Sequence, residues 1–257
     1  MSVLVSQART YESLEQYPEA LAAAATVSEL AQASEQPLFT SIAQAIQGRV
    51  HIAANEPRQA LGPLSQALAV ASALEYRLGA ANILDNVGKA HRDLEELPQA
   101  FAAYTQVLAL MQELGDRAGE AGALYDLALV ERQRNQLPEA QSYAEAAIEI
   151  TESLRGKLVS PELRSAYIST IYQYYELYID LLMQQHDLSP DSGFDALALH
   201  ASERARARGL LELLTEANAD IERGVDLNLL AQERELQKRL QQNEKRLALH
   251  TTRPDVF

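Results

Sequence analysis

The sequence predicts an all-α solenoid made of one helix pair repeated four times, followed by longer helices. Three observations carry this. Ala20, Ala60, Ala100 and Ala140 stand forty residues apart, inside the related phrases Tyr17-Pro18-Glu19-Ala20, Pro57-Arg58-Gln59-Ala60, Leu97-Pro98-Gln99-Ala100 and Leu137-Pro138-Glu139-Ala140. A fixed period of this size marks stacked copies of a unit too small to bury its apolar face alone. Alanine, leucine, glutamate and glutamine dominate, tryptophan is absent, and β-branched residues form no alternating runs, so helix is favoured throughout.

Each unit opens with an amphipathic helix, roughly residues 1–14, 40–54, 80–94 and 120–134. A polar turn follows, containing Tyr17-Pro18, Glu56-Pro57, Leu97-Pro98 or Leu137-Pro138. Proline suits the first turn of the next helix, where its missing N–H is not needed. Second helices are expected over about 18–33, 57–74, 98–114 and 138–154. Ala8, Gly48, Gly88 and Ala128 recur twelve positions before each alanine, and small residues there let two helices approach closely across the hairpin. In Leu114-Gly115-Asp116-Arg117 the glycine stops a helix at its C-terminal end.

Small residues at position 8 of the unit, Tyr11, His51 and His91 at position 11, and alanine at position 20 resemble the tetratricopeptide repeat, with Leu64, Ala67, Tyr104 and Val107 at positions 24 and 27. The resemblance covers about residues 1–155 and implies a right-handed solenoid of antiparallel helix pairs. The period exceeds the usual 34. It looks like the longer repeat of kinesin light chains and related scaffolds, with the extra residues placed after the second helix.

From Thr151 the period breaks. Ser160-Pro161-Glu162 starts a helix expected to reach about His186, and Tyr167, Ile171, Tyr174, Tyr178 and Leu182 share one face of it. That stripe is read as packing against a neighbouring helix rather than as a binding face. A loop at 187–193 leads to a second long helix from Phe194 to about Ala217, making residues 156–217 an enlarged, divergent fifth pair. Arg204 and Arg208 have Glu203 and Glu212 in reach, so this face is read as salt-bridged and solvated. In residues 218–257, Leu229, Leu236, Leu240 and Leu247 form a weak seam for a capping or coiled-coil helix before a loose tail.

The series Leu154-Arg155, Ser160-Pro161-Glu162-Leu163-Arg164-Ser165-Ala166-Tyr167, Tyr178-Ile179-Asp180-Leu181-Leu182-Met183 and Ala201-Ser202-Glu203-Arg204-Ala205-Arg206-Ala207-Arg208-Gly209-Leu210-Leu211-Glu212-Leu213-Leu214 resembles the segment preceding the caspase-like CHAT peptidase domain of bacterial, often cyanobacterial, repeat proteins. The resemblance implies a sensor arm of a longer protein, and the start inside a first helix is read as trimming or a bare N-terminus. The histidine–cysteine dyad of that family lies in a domain these residues do not include, and no catalytic residue carries over.

Composition narrows the function. No cysteine is present, which excludes disulfides and thiolate chemistry. A net charge of -14 argues against nucleic acid and anionic membrane as partners. No apolar stretch is long enough to span a bilayer, and no signal peptide is visible. The five histidines show no metal-ligand spacing, and no glycine-rich phosphate loop or nucleophile elbow occurs. His51 and His91 are read as packing residues. The expectation is a cytoplasmic, non-enzymatic scaffold without cofactor or metal.

In tetratricopeptide scaffolds the first helices line the concave face. There position 9 holds Arg9, Arg49 and Lys89, and position 12 holds Arg92 and Arg132, a basic stripe on an acidic protein. Asn86, at a position where similar scaffolds use asparagine on a peptide backbone, and Asn82 supply both donor and acceptor. Arg49, Asn82, Asn86, Lys89, Arg92 and Arg132 are therefore the candidate peptide-binding residues, for an acidic segment of a protein partner. The competing reading pairs these cations with Asp85, Asp93, Asp126 and Glu131. Two alternatives in function stay open: homo-oligomerisation through the C-terminal helices, and regulation of a CHAT domain of the same protein.

Overall fold

The computed structural model describes residues 1–155 and 161–207. All regular structure among them is helical: α1 (Ser2–Ser13), α2 (Tyr17–Ala33), α3 (Pro37–Ala53), α4 (Pro57–Ala73), α5 (Arg77–Asp93), α6 (Leu97–Leu114), α7 (Arg117–Gln133), α8 (Leu137–Arg155) and α9 (Pro161–Leu188), then a 3-10 turn at Pro190–Ser192 and a helical stretch over 194–207. Each helix packs on the next, and α1 also meets α3, α3 meets α5, and α7 meets α9. Short connections make consecutive helices antiparallel, so the odd-numbered helices form one layer and the even-numbered ones the other.

The chain divides into the units Met1–Glu203 and Arg204–Phe257, and the described solenoid belongs to the first. The expected domain boundaries at 155/156 and 217/218, the seam at Leu229–Leu247, and the pairing of Arg208 with Glu212 fall on residues outside the described ones.

Every turn from α1 to α8 is the same object. Glu15, Glu35, Asn55, Glu75, Glu95, Gly115 and Asn135 are twenty residues apart and all have φ between 52° and 69°. One residue further on, the backbone N–H reaches back to a carbonyl five residues earlier, as in Gln16 to Tyr11 at 2.9 Å, Glu56 to His51 at 2.8 Å and Asp116 to Met111 at 2.9 Å. With the companion bond from the left-handed residue, this is the Schellman arrangement, which satisfies carbonyls the helix leaves open. The turns between repeats are therefore as tight as those within them. The residues beyond the usual period, expected after the second helix, instead lengthen the helices, and α3, α5 and α7 begin about three residues earlier than the motif positions indicate.

The core runs between the layers. Gly48 packs against Leu64 and Gly88 against the ring of Tyr104, while Ala8 shares a cluster with Ala24, and Ala128 with Ala144. The small residues at position 8 thus face position 24, as their spacing predicts. On α9, Ile171, Tyr174 and Leu182 are buried, and Tyr178 packs with Leu177 and Leu181 against Ala140 and Ala144. The expected stripe is a packing face; the Tyr167 side chain lies outside the described residues.

Candidate functional site

The layer of odd-numbered helices carries an open trench of about 950 Å³ across α1, α3 and α5. Its floor is apolar, with Ile42, Ala45 and Ile46 from α3 and Ile83 from α5. Tyr17 and Tyr76 also line it. Arg9 and Glu12 enter from α1, Arg49 from α3, and Asn82, Asp85 and Asn86 from α5. Three of the six sequence-derived site residues, Arg49, Asn82 and Asn86, therefore line one cavity.

Arg49 does not stand free there. Its Nε donates to Glu12 Oε1 at 3.0 Å, and Nη2 donates to the other carboxylate oxygen, so the guanidinium grips the carboxylate with two bonds and ties α3 to α1. Asn86 Nδ2 donates to the Asn82 carbonyl at 2.6 Å, one turn back on its own helix. The Asn86 side-chain Oδ1, the Asn82 side-chain amide and the Arg9 guanidinium have no hydrogen-bond partner among the described residues.

Further along, Arg92 Nη1 donates to Asp126 Oδ1 at 3.1 Å, linking α5 to α7. Burial, reinforced by the charge of Asp85, raises the Asp126 carboxyl to about 7 against the pull of Arg92. Burial likewise raises Asp85, opposed by Lys89 and Arg92. The phenol of Tyr104 is pushed up chiefly by burial. Arg92 is thus paired with Asp126, while Lys89 is exposed on the same helix and adds to the positive field over Asp85 and Asp126.

Arg132 stands apart from both groups. It lines a separate cavity of about 340 Å³ with Glu176 and Asp180 of α9, beside Tyr125, whose ring stacks on Tyr174 with centroids 4.7 Å apart. Glu131 pairs with Arg134 at 2.7 Å. The pairing of Arg92 with Asp126 matches the competing reading, whereas Glu12 as the partner of Arg49 was not anticipated.

His51 and His91 are mostly buried, as a packing role requires, and each also makes a polar contact. Each places Nδ1 against a glutamate across the turn, Glu56 at 2.9 Å and Glu96 at 2.7 Å, doubling the backbone bond between the same two residues. Their repeat position is equivalent, so the contact recurs. Arg58 adds a second cation to Glu96 at 3.2 Å.

Comparison with known proteins agrees with this geometry. Residues 79–153 match the family model described as Tetratricopeptide repeat. A crystal structure of nearly identical TPR-like repeats from a putative kinesin light chain of Podosopora anserina is similar with a TM-score of 0.58 at 18% identity, covering 80% of this chain and 93% of that one. A single-substitution variant of that protein gives 0.58 at 16% identity, covering 80% and 92%. BtubC (BKLC) from P. vanneervenii gives 0.56 at 15% identity, covering 80% and 88%. No curated protein matches. Residues 79–153 thus match the tetratricopeptide repeat, and the chain shares the solenoid fold of the kinesin-light-chain-like structures, a fold that generally serves protein–protein interaction. Among the described residues no helix is long and apolar enough to cross a membrane.

Proposed function

We propose that the chain is a non-catalytic scaffold that holds an extended segment of a partner protein in the trench over α1, α3 and α5. The observation that carries this is the trench itself, with an apolar floor and unsatisfied amide groups on its wall. An extended backbone has donors and acceptors to offer Asn82 and the Asn86 Oδ1, and apolar side chains to lay on Ile42, Ile46 and Ile83. Arg9 lines the trench with Arg49, has no internal partner among the described residues, and favours a carboxylate of the ligand at that end. Glu12, Glu15 and Asp85 line the same trench, so the segment is one with a single acidic anchor rather than an acidic run. Lys89, Arg92 and Arg132 extend the inner face toward α7 and α9 and would meet a longer ligand.

The resemblance of Ser160–Tyr167 and Ala201–Leu214 to CHAT-associated segments supports a cytoplasmic docking or sensor arm for a CHAT-type peptidase of cyanobacterial kind. The segment over 208–214 lies outside the described residues.

The test is capture from source-cell lysate, comparing the parent with an Arg9→Glu, Asn82→Ala, Asn86→Ala variant of unchanged helicity. A client retained by the parent and lost by the variant supports the trench. Equal retention moves the binding site off the inner face.

A further inference from the structure

The solenoid has two edges, and they differ. Turns within repeats carry Glu15, Gln16, Asn55, Glu56, Glu95 and Glu96, with Leu14 as a single exposed leucine among them. Turns between repeats carry Leu38, Leu74, Tyr76, Leu78 and Leu114, which are all 40–44% exposed. Leu38 and Leu78 open α3 and α5, and Leu74 and Leu114 close α4 and α6, so the alternation of helix direction brings all of them to the same edge. Large apolar side chains gathered on one side of a surface mark an interaction site, whereas singly scattered ones do not.

The arrangement has a centre. Leu74 and Leu78 are two residues either side of Tyr76, and Leu38 and Leu114 are both thirty-eight residues from it. Glu75 and Arg77 flank it directly, and Glu35 and Arg117 are both forty-one residues away. Because every helix and turn occupies a twenty-residue step, equal distance along the chain is an equal step along the edge. A second copy rotated by half a turn about Tyr76 would therefore set leucine on leucine and acid on base at every one of these positions. Such a surface is complementary to itself, which a two-fold pair requires.

We propose that two copies of this chain associate antiparallel through the edge between repeats, Tyr76 on Tyr76, with Leu38 of one against Leu114 of the other. The leucines supply the apolar contact. The pairs Glu75–Arg77 and Glu35–Arg117 set the register and direction, which is what charges at an interface do best. Arg77 and Arg117 already hold Glu113 and Glu120 on their own chain, and both remain more than half exposed, so each has room for a second carboxylate.

The chain contains no cysteine, so a single introduced thiol reports only on its own position. Under mild oxidation of the full chain, Tyr76→Cys forms a disulfide-linked species of twice the 28.3 kDa chain mass, and Glu95→Cys on the opposite edge does not. In sedimentation equilibrium, Leu74→Asp with Leu78→Asp weakens association by about a hundredfold or more. Arg77→Glu weakens it by roughly tenfold, and adding Glu75→Arg restores it, because the exchanged charges still meet their opposites. All these side chains are exposed, so circular dichroism remains that of the parent. A parent that stays monomeric at roughly 0.1 mM overturns the proposal. So does a dimer whose mass ignores these substitutions, which would place self-association elsewhere, or capture of a different protein that alone needs Leu74 and Leu78.

Discussion

Gly88 lies against the ring of Tyr104, and a Cβ on Gly88 would come within 2.8 Å of Cε1 and Cζ. The same relationship recurs at Gly48 and Leu64, and it is inverted elsewhere: Ala8 meets Ala24, and Ala128 meets Ala144. Where position 8 is glycine, position 24 is large; where it is alanine, position 24 is alanine. A large side chain at position 24 leaves no room for a Cβ at position 8, and a small one does.

Gly88→Ala therefore destabilises the chain by about 1–3 kcal/mol, although alanine is the better helix former by about 1 kcal/mol. Tyr104→Ala costs about 3–5 kcal/mol by leaving a cavity. The double variant reproduces the alanine pair of the first and fourth repeats, so its cost falls short of the sum by about 1 kcal/mol or more. Urea midpoints of the four proteins decide this, and strict additivity would mean that the two side chains do not compete for the same space.

The repeat and its packing were legible because they rest on residue size at fixed spacing. Ala20, Gly48 and Gly88 state the period and the close approach without any knowledge of the fold. The helix starts were less so. Four of the seven left-handed turn residues are glutamates, a residue type that seldom adopts positive φ; proline marked the turns within repeats, and of those between repeats only Gly115 announced its own. The site was legible in its residue types and not in its pairings. Glu12 meets Arg49 across 37 residues and Arg92 meets Asp126 across 34, so no single offset between repeats predicts which charges touch.

The turn glutamates carry a cost that glycine would remove. Glu95 is exposed, has φ 60°, and makes no side-chain hydrogen bond among the described residues. Glu95→Gly raises stability by about 0.5–1 kcal/mol, since a left-handed L-residue costs roughly 1–2 kcal/mol and glycine gives part of that back through the freedom of its unfolded chain. Asn135→Gly gains only a few tenths, because asparagine tolerates this conformation better. Chemical denaturation with an unchanged m-value measures both, and a loss of stability in Glu95→Gly would show that the glutamate side chain, not the backbone, matters there.

His91 beside Glu96 predicts a titration. The contact with the imidazole holds the Glu96 carboxyl below the ordinary glutamate range, with Arg58 contributing in the same direction. A depressed folded-state pKa gives stability that is present above the unfolded value of 4.5 and lost as pH falls through the folded one. In carbon-detected NMR of the side-chain carboxyl, Glu96 titrates below the ordinary glutamate range, and His91→Phe moves its midpoint upward. A midpoint that stays put in His91→Phe would leave Arg58 as the sole cause.

Asp126 predicts the opposite dependence. Its carboxyl is raised from 3.8 to about 7, by burial first and by Asp85 second, with Arg92 and Lys89 pulling the other way. A raised folded-state pKa gives stability that is complete below the unfolded value and is lost as pH rises through the folded one. The chain therefore loses stability between about pH 4 and pH 7, by at most about 1.4 kcal/mol per pH unit for this one proton. Asp85 titrates in the same sense and adds to the slope. Asp126→Asn removes the ionisation while keeping an oxygen for the Arg92 donor. Its melting temperature exceeds that of the parent at pH 8 and approaches it at pH 5, so the two curves converge on acidification. If Asp126→Asn instead melts lower than the parent at pH 8, the ion pair with Arg92 outweighs the cost of burying the carboxylate, and the link between α5 and α7 is a net electrostatic stabiliser at that pH.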